Sequence, residues 1–162
     1  MRLSWILLGL HILLKYTAWR YPAFAERLRE KNMSAQIKTW DDTVGRCFTF
    51  QDGKISSKRG INPKADICMS FKTESLAVNL LMPPIDWLEQ INALKDFKLK
   101  MDGDDGLANW FAQTTMMTQS VGWNWGSVAG DGTKRTVNMT IGGPVFVDVK
   151  DEKIIRLTPI DL

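Results

Sequence analysis

The sequence predicts one small α/β domain. Its length of 162 residues fits one domain and is enough to bury a core. Helix-like spacing of apolar residues and strand-like alternation both recur along the chain. A hydrophobic content of 44% and a charged content of 24% are ordinary for a folded soluble protein. The net charge is only +3 and the basic residues are scattered among acids, so we expect no nucleic-acid partner.

The N-terminal run Leu3 to Leu14 is apolar apart from Ser4 and His11. It is shorter than the roughly 20 residues that cross a bilayer. Lys15-Tyr16 follows where a signal peptide needs small residues. Two interpretations of this predicted helix stay open, packing on the domain, which we favour, and contact with a membrane surface. The aromatic residues suited to such a surface are Trp5, Tyr16, Trp19 and Tyr21.

A second helix and a set of strands are predicted next. Pro22 precedes the predicted helix Ala23 to Lys31, in which Phe24 and Leu28 recur at helical spacing. Asp52-Gly53 is a strong signal for a two-residue hairpin turn. Alternation of apolar and polar residues predicts strands at Ala35 to Trp40, Arg46 to Gln51 and Ala65 to Phe71, and the hairpin turn predicts that Lys54 to Lys58 returns antiparallel.

Three further helices and one strand complete this region. Thr73 is a good N-cap for a helix that Pro83-Pro84 must end. Asp86 to Lys95 forms the next predicted helix, and Phe97 to Met101 alternates as a strand with Phe97, Leu99 and Met101 on one side. Either residue of Asp104-Asp105 then caps the last helix. The apolar positions of the three helices are Leu76, Leu80, Leu81, Trp87, Leu88, Ile91, Leu94, Leu107, Trp110, Phe111, Thr114 and Met117.

The C-terminal part has a different texture. A Gly-rich stretch after Gln119 is predicted to be a linker, and Val145 to Lys150 and Ile154 to Thr158 form a predicted hairpin around Asp151-Glu152. A lone hairpin is marginally stable, so we expect this one to be loosely held or paired with another chain. The predicted divisions are N-terminal helices at 1–33, a central domain at 34–119, a linker at 120–135 and a hairpin segment at 136–162.

The polar motifs predict structure rather than chemistry. Cys47 and Cys68 have no CxxC partner and are predicted to be buried thiols. Asp102 to Asp105 lacks the ligand positions of a calcium loop, and Asp41-Asp42 is typical of a turn. His11 is the only histidine, which excludes most catalytic triads and most zinc sites. We therefore expect no catalytic residue, no metal ligand and no cofactor in this chain.

The candidate binding residues are apolar. Each is more simply explained as core, but as a set rich in aromatic rings and adaptable methionines they suggest a cavity for an apolar ligand. The predicted set is Phe48, Phe50, Met69, Phe71, Leu80, Trp87, Phe97, Met101, Trp110, Phe111 and Met117.

Three motifs between Ala35 and Gln119 resemble the type-two lipid-carrier domain of the sterol carrier protein family. They are FTFQDGKI at 48–55, KADICMSFKTESL at 64–76 and FKLKMDGDDGLANWF at 97–111. The resemblance implies a curved, mostly antiparallel sheet of about five strands, covered by helices that enclose a tunnel for acyl chains or sterols. Members of the family usually carry a polar or glycine-containing loop where this chain has Pro83-Pro84, which bears on ligand size and on the tunnel entrance.

The segment NMTIGGPVFVDVKDEKIIRLTPIDL, Asn138 to Leu162, resembles a different family. It is similar to the start of the catalytic subunit of molybdopterin enzymes of the dimethyl-sulfoxide-reductase superfamily, in the pyrogallol transhydroxylase branch. The resemblance implies that this chain is a module, subunit or piece of such an enzyme. The cofactor pocket would lie outside this chain.

Three hypotheses follow. The first is a non-enzymatic module that holds a lipid or another apolar or aromatic molecule, associated with a molybdopterin oxidoreductase. The second is a structural docking module with a dry core, whose C-terminal hairpin pairs with a catalytic partner. A catalytic fragment is the weakest, because acid–base catalysis needs poised groups in a cleft. The expected location is the cytoplasm, with peripheral membrane association as an alternative.

Overall fold

The computed structural model describes residues 2–82, 87–119, 133–140 and 143–159. The helices are α1 (Arg2–Arg20), α2 (Pro22–Arg27), α3 (Glu74–Leu81), α4 (Trp87–Lys95) and α5 (Asp105–Gln119). The strands are β1 (Met33–Thr39), β2 (Gly45–Gln51), β3 (Lys54–Arg59), β4 (Ile67–Phe71), β5 (Leu99–Gly103), β6 (Lys134–Thr140), β7 (Gly143–Lys150) and β8 (Lys153–Pro159).

The main sheet has five strands in the order β3-β2-β1-β4-β5. Its strands pair antiparallel except β1 and β4, which run parallel at the centre. The β2–β3 turn has Asp52 at φ 52° and Gly53 at φ 76°, the left-handed backbone that a type I′ hairpin requires. The predicted α/β class and the predicted hairpin are confirmed.

The long N-terminal helix packs on the domain. Leu3, Leu7, Leu10 and Leu14 recur every three or four residues and are buried in the same core as the sheet. The predicted N-terminal segment 1–33 therefore shares one core with the region that follows it. Within the described residues, no helix has both the length and the apolar character of a membrane span. The opposite side of α1 exposes Trp5, Ile12, Tyr16 and Trp19, and contact of this side with a membrane surface stays a prediction.

Side-chain contacts hold the short helix α2 against α5 and cap the start of α3. Arg27 of α2 donates to Thr114 Oγ1 at 3.1 Å and to Gln113 Oε1 at 3.0 Å on α5. Its guanidinium also stacks 5.7 Å from the ring centre of Trp110. Thr73 Oγ1 accepts from the Leu76 amide at 3.2 Å at the start of α3, as the predicted N-cap should.

Three sequence-based expectations are wrong. The strand β5 begins at Leu99, because Phe97 lies in the turn after α4 with φ 55° and has 74% of its surface exposed. On α4, the predicted apolar position Leu88 is 67% exposed and faces solvent, whereas Ala93 is buried. The second helix ends at Arg27 rather than Lys31, and a turn follows it.

The C-terminal segment forms a second sheet of three antiparallel strands in the order β6-β7-β8. The predicted hairpin is β7–β8, and its turn residues Asp151 and Glu152 have φ 49° and 61°. The structure adds β6, whose first residues were expected in a linker; residues 120–132 lie outside the described part of the chain. Phe146 packs against the main core, and Val147 and Asp148 are buried. Strand β7 is therefore paired on both sides within its own chain, and how firmly the segment is held stays a prediction.

Candidate apolar ligand site

A small apolar cavity lies between the main sheet and the helices that cover it. Its volume is about 40 Å³. The strands β1, β4 and β5 supply one wall, and residues of all the helices except α2 supply the rest. The lining residues are Leu10, Ile37, Met69, Phe71, Leu81, Gln90, Leu99, Phe111, Ala112 and Thr115.

Strand geometry explains the sheet wall. Residues at alternate positions of a strand point to the same face, so Met69 and Phe71 share the face that the helices cover. Ile37 and Leu99 are the direct neighbours of these residues on β1 and β5, since Ile37 pairs with Met69 and Leu99 with Phe71. The wall is therefore aliphatic and aromatic.

Two polar side chains line the cavity, and both are held by backbone carbonyl groups. Gln90 Nε2 donates to the Leu80 carbonyl at 2.7 Å, and Thr115 Oγ1 donates to the Ala112 carbonyl at 2.9 Å. An apolar molecule in this space would meet few groups that need hydrogen bonds, so its position would depend on shape.

Three of the predicted binding residues, Met69, Phe71 and Phe111, line the cavity. Phe48 and Phe50 lie beside it on β2 and pack against α5. The Phe48 ring centre is 6.2 Å from that of Phe111, and the Phe50 ring lies edge-on to Trp110 at 5.3 Å. Phe48 and Phe50 therefore contact the rings of α5 and do not line the cavity themselves.

The remaining predicted residues lie farther from the cavity or outside the described side chains. Leu80 and Met117 are buried in the core, and Met101 packs against it with part of its surface exposed. Phe97 turns toward solvent and does not line the cavity. Trp87 begins α4, but its side chain lies outside the described part of the structure.

Most of the cavity lining, including all of its leucine, isoleucine and alanine residues, was not predicted from the sequence. The missed residues are Leu10, Ile37, Leu81, Gln90, Leu99, Ala112 and Thr115. All members of the predicted set except Leu80 are aromatic residues or methionines, because an aliphatic residue carries no sequence signal that separates a cavity wall from the core. Leu10 joins the site only because α1 packs on the domain.

The cavity is small for its proposed use. Pockets that hold small molecules usually measure about 300–1,000 Å³, and this one measures about 40 Å³. The space is large enough for a water molecule but too small for an acyl chain. A lipid could enter only if residues around the cavity move apart.

The polar motifs have structural roles. Asp104 Oδ1 accepts from the Leu107 amide at 2.8 Å, which makes Asp104 the N-cap of α5. Asp41 Oδ1 accepts from the Thr43 hydroxyl at 2.9 Å within the β1–β2 turn. Cys47 is buried, Cys68 is half-buried and both are free thiols. The described residues contain no cluster of side chains that could hold a metal ion.

The sequence matches no family model and no curated protein. Its fold is similar to that of a ubiquinone synthesis protein, UbiJ-SCP2, with 15% identity over 69% of this chain and 89% of that chain, at a TM-score of 0.51. This likeness confirms the fold of the sterol carrier type and shows the fold alone.

Two other solved structures are less similar in shape. Palmitated SCP2L2 from Aedes aegypti is 17% identical over 60% of this chain and 93% of that chain, at a TM-score of 0.38. The sec-alkylsulfatase Pisa1 from Pseudomonas sp. is 22% identical over 54% of this chain, at a TM-score of 0.40. The match covers only 14% of the sulfatase chain.

Proposed function

We propose that this chain binds an apolar small molecule, such as a lipid or an aromatic compound, without transforming it. The observation that carries the proposal is the apolar cavity between the main sheet and its helices. Burial of ligand surface there would supply the affinity, at about 25 cal/mol per Å² of apolar area. The fold of the sterol carrier type is consistent with this use.

Ligand entry requires the cavity to widen. Leu81 at the end of α3 and Gln90 on α4 line one side of it, and the hydrogen bond from Gln90 to Leu80 ties the two helices together. An outward movement of α4 would break the Gln90–Leu80 hydrogen bond and expose Ala93, which is buried, whereas Leu88 and Leu94 are already exposed. We infer that α4 moves to admit the ligand.

A fluorescent fatty-acid or sterol analogue tests this proposal. Ala112→Phe places a ring in the cavity and should weaken binding by about tenfold or more, since the ring occupies the ligand's space. Asn109→Phe adds the same ring to the exposed side of α5 and should leave binding unchanged. Equal binding by the two variants would show that the ligand binds outside this cavity.

A second candidate function is structural docking with a dry core. The small cavity and the packed rings of Phe48, Phe50 and Phe111 favour it. A docking surface would come from β8, where Ile154, Ile155 and Leu157 are exposed. Failure of every apolar analogue to bind would favour this function. A molybdopterin catalytic subunit as the partner is supported by the sequence of Asn138 to Leu162 alone and stays a prediction.

A further inference from the structure

A second, larger cleft opens on the side of the domain where α1 begins. Its volume is about 610 Å³, within the usual range for small-molecule sites. The lining comes from α1, from the β1–β2 turn and from the neighbouring ends of β2 and β3; the residues are Ser4, Trp5, Leu8, Thr43, Val44, Arg46 and Arg59. It shares none of these residues with the internal cavity.

Two arginines face each other in this cleft. Arg46 and Arg59 are direct partners in the antiparallel β2–β3 pair, which places their Cβ atoms about 4.5–5.5 Å apart. By strand alternation they share the helix-covered face with Phe48 and Phe50, but they lie beyond the core at the ends of the strands. Like charges placed directly opposite each other destabilise a sheet, so an anion between them would relieve a repulsion already present.

Nearby carboxylates do not neutralise the pair. Asp42 forms an ion pair with Lys38 at 2.6 Å, and Asp41 accepts hydrogen bonds from Thr43. Arg46 donates to the neutral hydroxyl of Ser57 at 2.8 Å. Among the described residues, no carboxylate forms an ion pair with Arg46 or Arg59.

The positive field reaches α1. His11 lies on the same side of α1 as Ser4 and Leu8, and its pKa is lowered by burial and by the charges of Lys15 and Arg46. The helix α1 contains Arg2, Lys15 and Arg20 and no acidic residue. The first turn of α1, which holds Ser4 and Trp5, is capped by the Glu74 carboxylate through the Leu3 amide, so the positive charge available to a ligand in the cleft comes from Arg46 and Arg59.

The other wall of the cleft is apolar. Trp5 has 70% of its surface exposed, and Leu8 and Val44 are half-buried beside it. We propose that this cleft binds an anionic amphiphile, whose carboxylate, sulfate or phosphate head lies between Arg46 and Arg59 and whose apolar body packs on Trp5, Leu8 and Val44. Paired guanidinium groups suit such oxyanions because they offer several hydrogen-bond donors in a plane.

Calorimetric titration with octyl phosphate, below its micelle concentration, tests the proposal. Arg46→Gln and Arg59→Gln should each weaken binding by about tenfold or more, the usual effect of losing a charge-assisted hydrogen bond. Arg156→Gln removes an exposed arginine from β8 and should change nothing. Because Arg59 is exposed and lies at a strand end, its replacement should leave the thermal unfolding temperature the same or higher.

Three comparisons separate the components of the site. Octyl glucoside, which has the same tail and no charge, should bind at least about tenfold more weakly than octyl phosphate, and inorganic phosphate alone should also bind more weakly. Ala112→Phe should leave octyl phosphate binding intact, so a failure here is distinguishable from a failure of the internal cavity. Equal affinity for octyl glucoside and octyl phosphate, or full affinity in the Arg46→Gln/Arg59→Gln double variant, would overturn the proposal. Inorganic phosphate that binds as tightly as octyl phosphate would overturn the role of the apolar wall.

Discussion

The backbone amide of Leu3 donates a 2.9 Å hydrogen bond to Glu74 Oε1. This bond joins the first turn of α1 to the first turn of α3, although 71 positions separate the two residues. An amide in the first turn of a helix has no partner within the helix, and a carboxylate also interacts favourably with the positive end of the helix dipole. Glu74 therefore serves as a cap supplied by another element.

The hydrogen bond from Leu3 to Glu74 predicts that the stability of the fold depends on pH. It holds the pKa of Glu74 below the ordinary value of 4.5. A group whose pKa is lower in the folded state stabilises the fold above its unfolded pKa and loses that effect as pH falls through the folded value. Glu74→Gln should therefore lower the thermal unfolding temperature at pH 7 and have no such effect at a pH below the lowered pKa. Glu26→Gln, on the exposed side of α2, is the control, and an equal loss in both variants at pH 7 would refute the cap.

The burial of α1 predicts that it contributes to stability. Leu7 has no exposed surface, whereas Ile12 is 60% exposed on the same helix. Leu7→Ala should cost about 2–5 kcal/mol of unfolding free energy, because it leaves a cavity in the core. Ile12→Ala should cost less than about 1 kcal/mol. Urea unfolding of both variants measures the difference, and similar losses would mean that α1 does not pack as described.

Alanine substitutions at two glycines with similar backbone conformations distinguish the cost of backbone strain from the cost of a steric clash. Gly103 ends β5 with φ 116°, and a Cβ placed there would meet the Asp66 carbonyl oxygen and the Ile67 Cα. Gly60 has φ 113°, and a Cβ placed on Gly60 would have no other atom within 4 Å. Both alanine substitutions carry the strain of a left-handed backbone, about 1–3 kcal/mol, but Gly103→Ala adds a collision with backbone. Thermal unfolding should rank Gly103→Ala as clearly the less stable, and equal stabilities would contradict the close pairing of β5 with β4.

The second sheet predicts a pattern of hydrogen exchange. Strand β7 is paired on both sides, and Val147 is buried. Its amides should therefore exchange slowly in a dilute monomer, and outward-facing amides of the edge strand β8 should exchange quickly. Rapid exchange throughout β7 would indicate a sheet that opens readily in the absence of a partner, as the docking function expects.

Local rules predicted most of the main domain. Asp52-Gly53 forms the predicted hairpin turn and Thr73 the predicted N-cap, and Asp104 is the one of the two predicted residues, Asp104 and Asp105, that caps α5. Phe97 shows the limit of such rules. It alternates with Leu99 as a strand residue would, but its amide and that of Lys98 still bond to carbonyl groups of α4 in the turn that ends the helix. Leu10 shows another limit, because its role in the cavity depends on how α1 lies on the sheet. Most of the aliphatic cavity lining was therefore not predictable from spacing.

The parallel pairing of β1 with β4 affects the order in which the chain can assemble. Strands β1, β2 and β3 follow one another through short connections, so their pairing closes only small loops. Strand β4 must then return to the far side of β1, where Ala35 pairs with Ile67, and this closes a loop that contains both β2 and β3. Because loop closure costs more entropy as the loop grows, we expect the three-stranded meander to form early. By the same argument, we expect the residues that line the internal cavity from β4 and β5 to come together after the meander has formed.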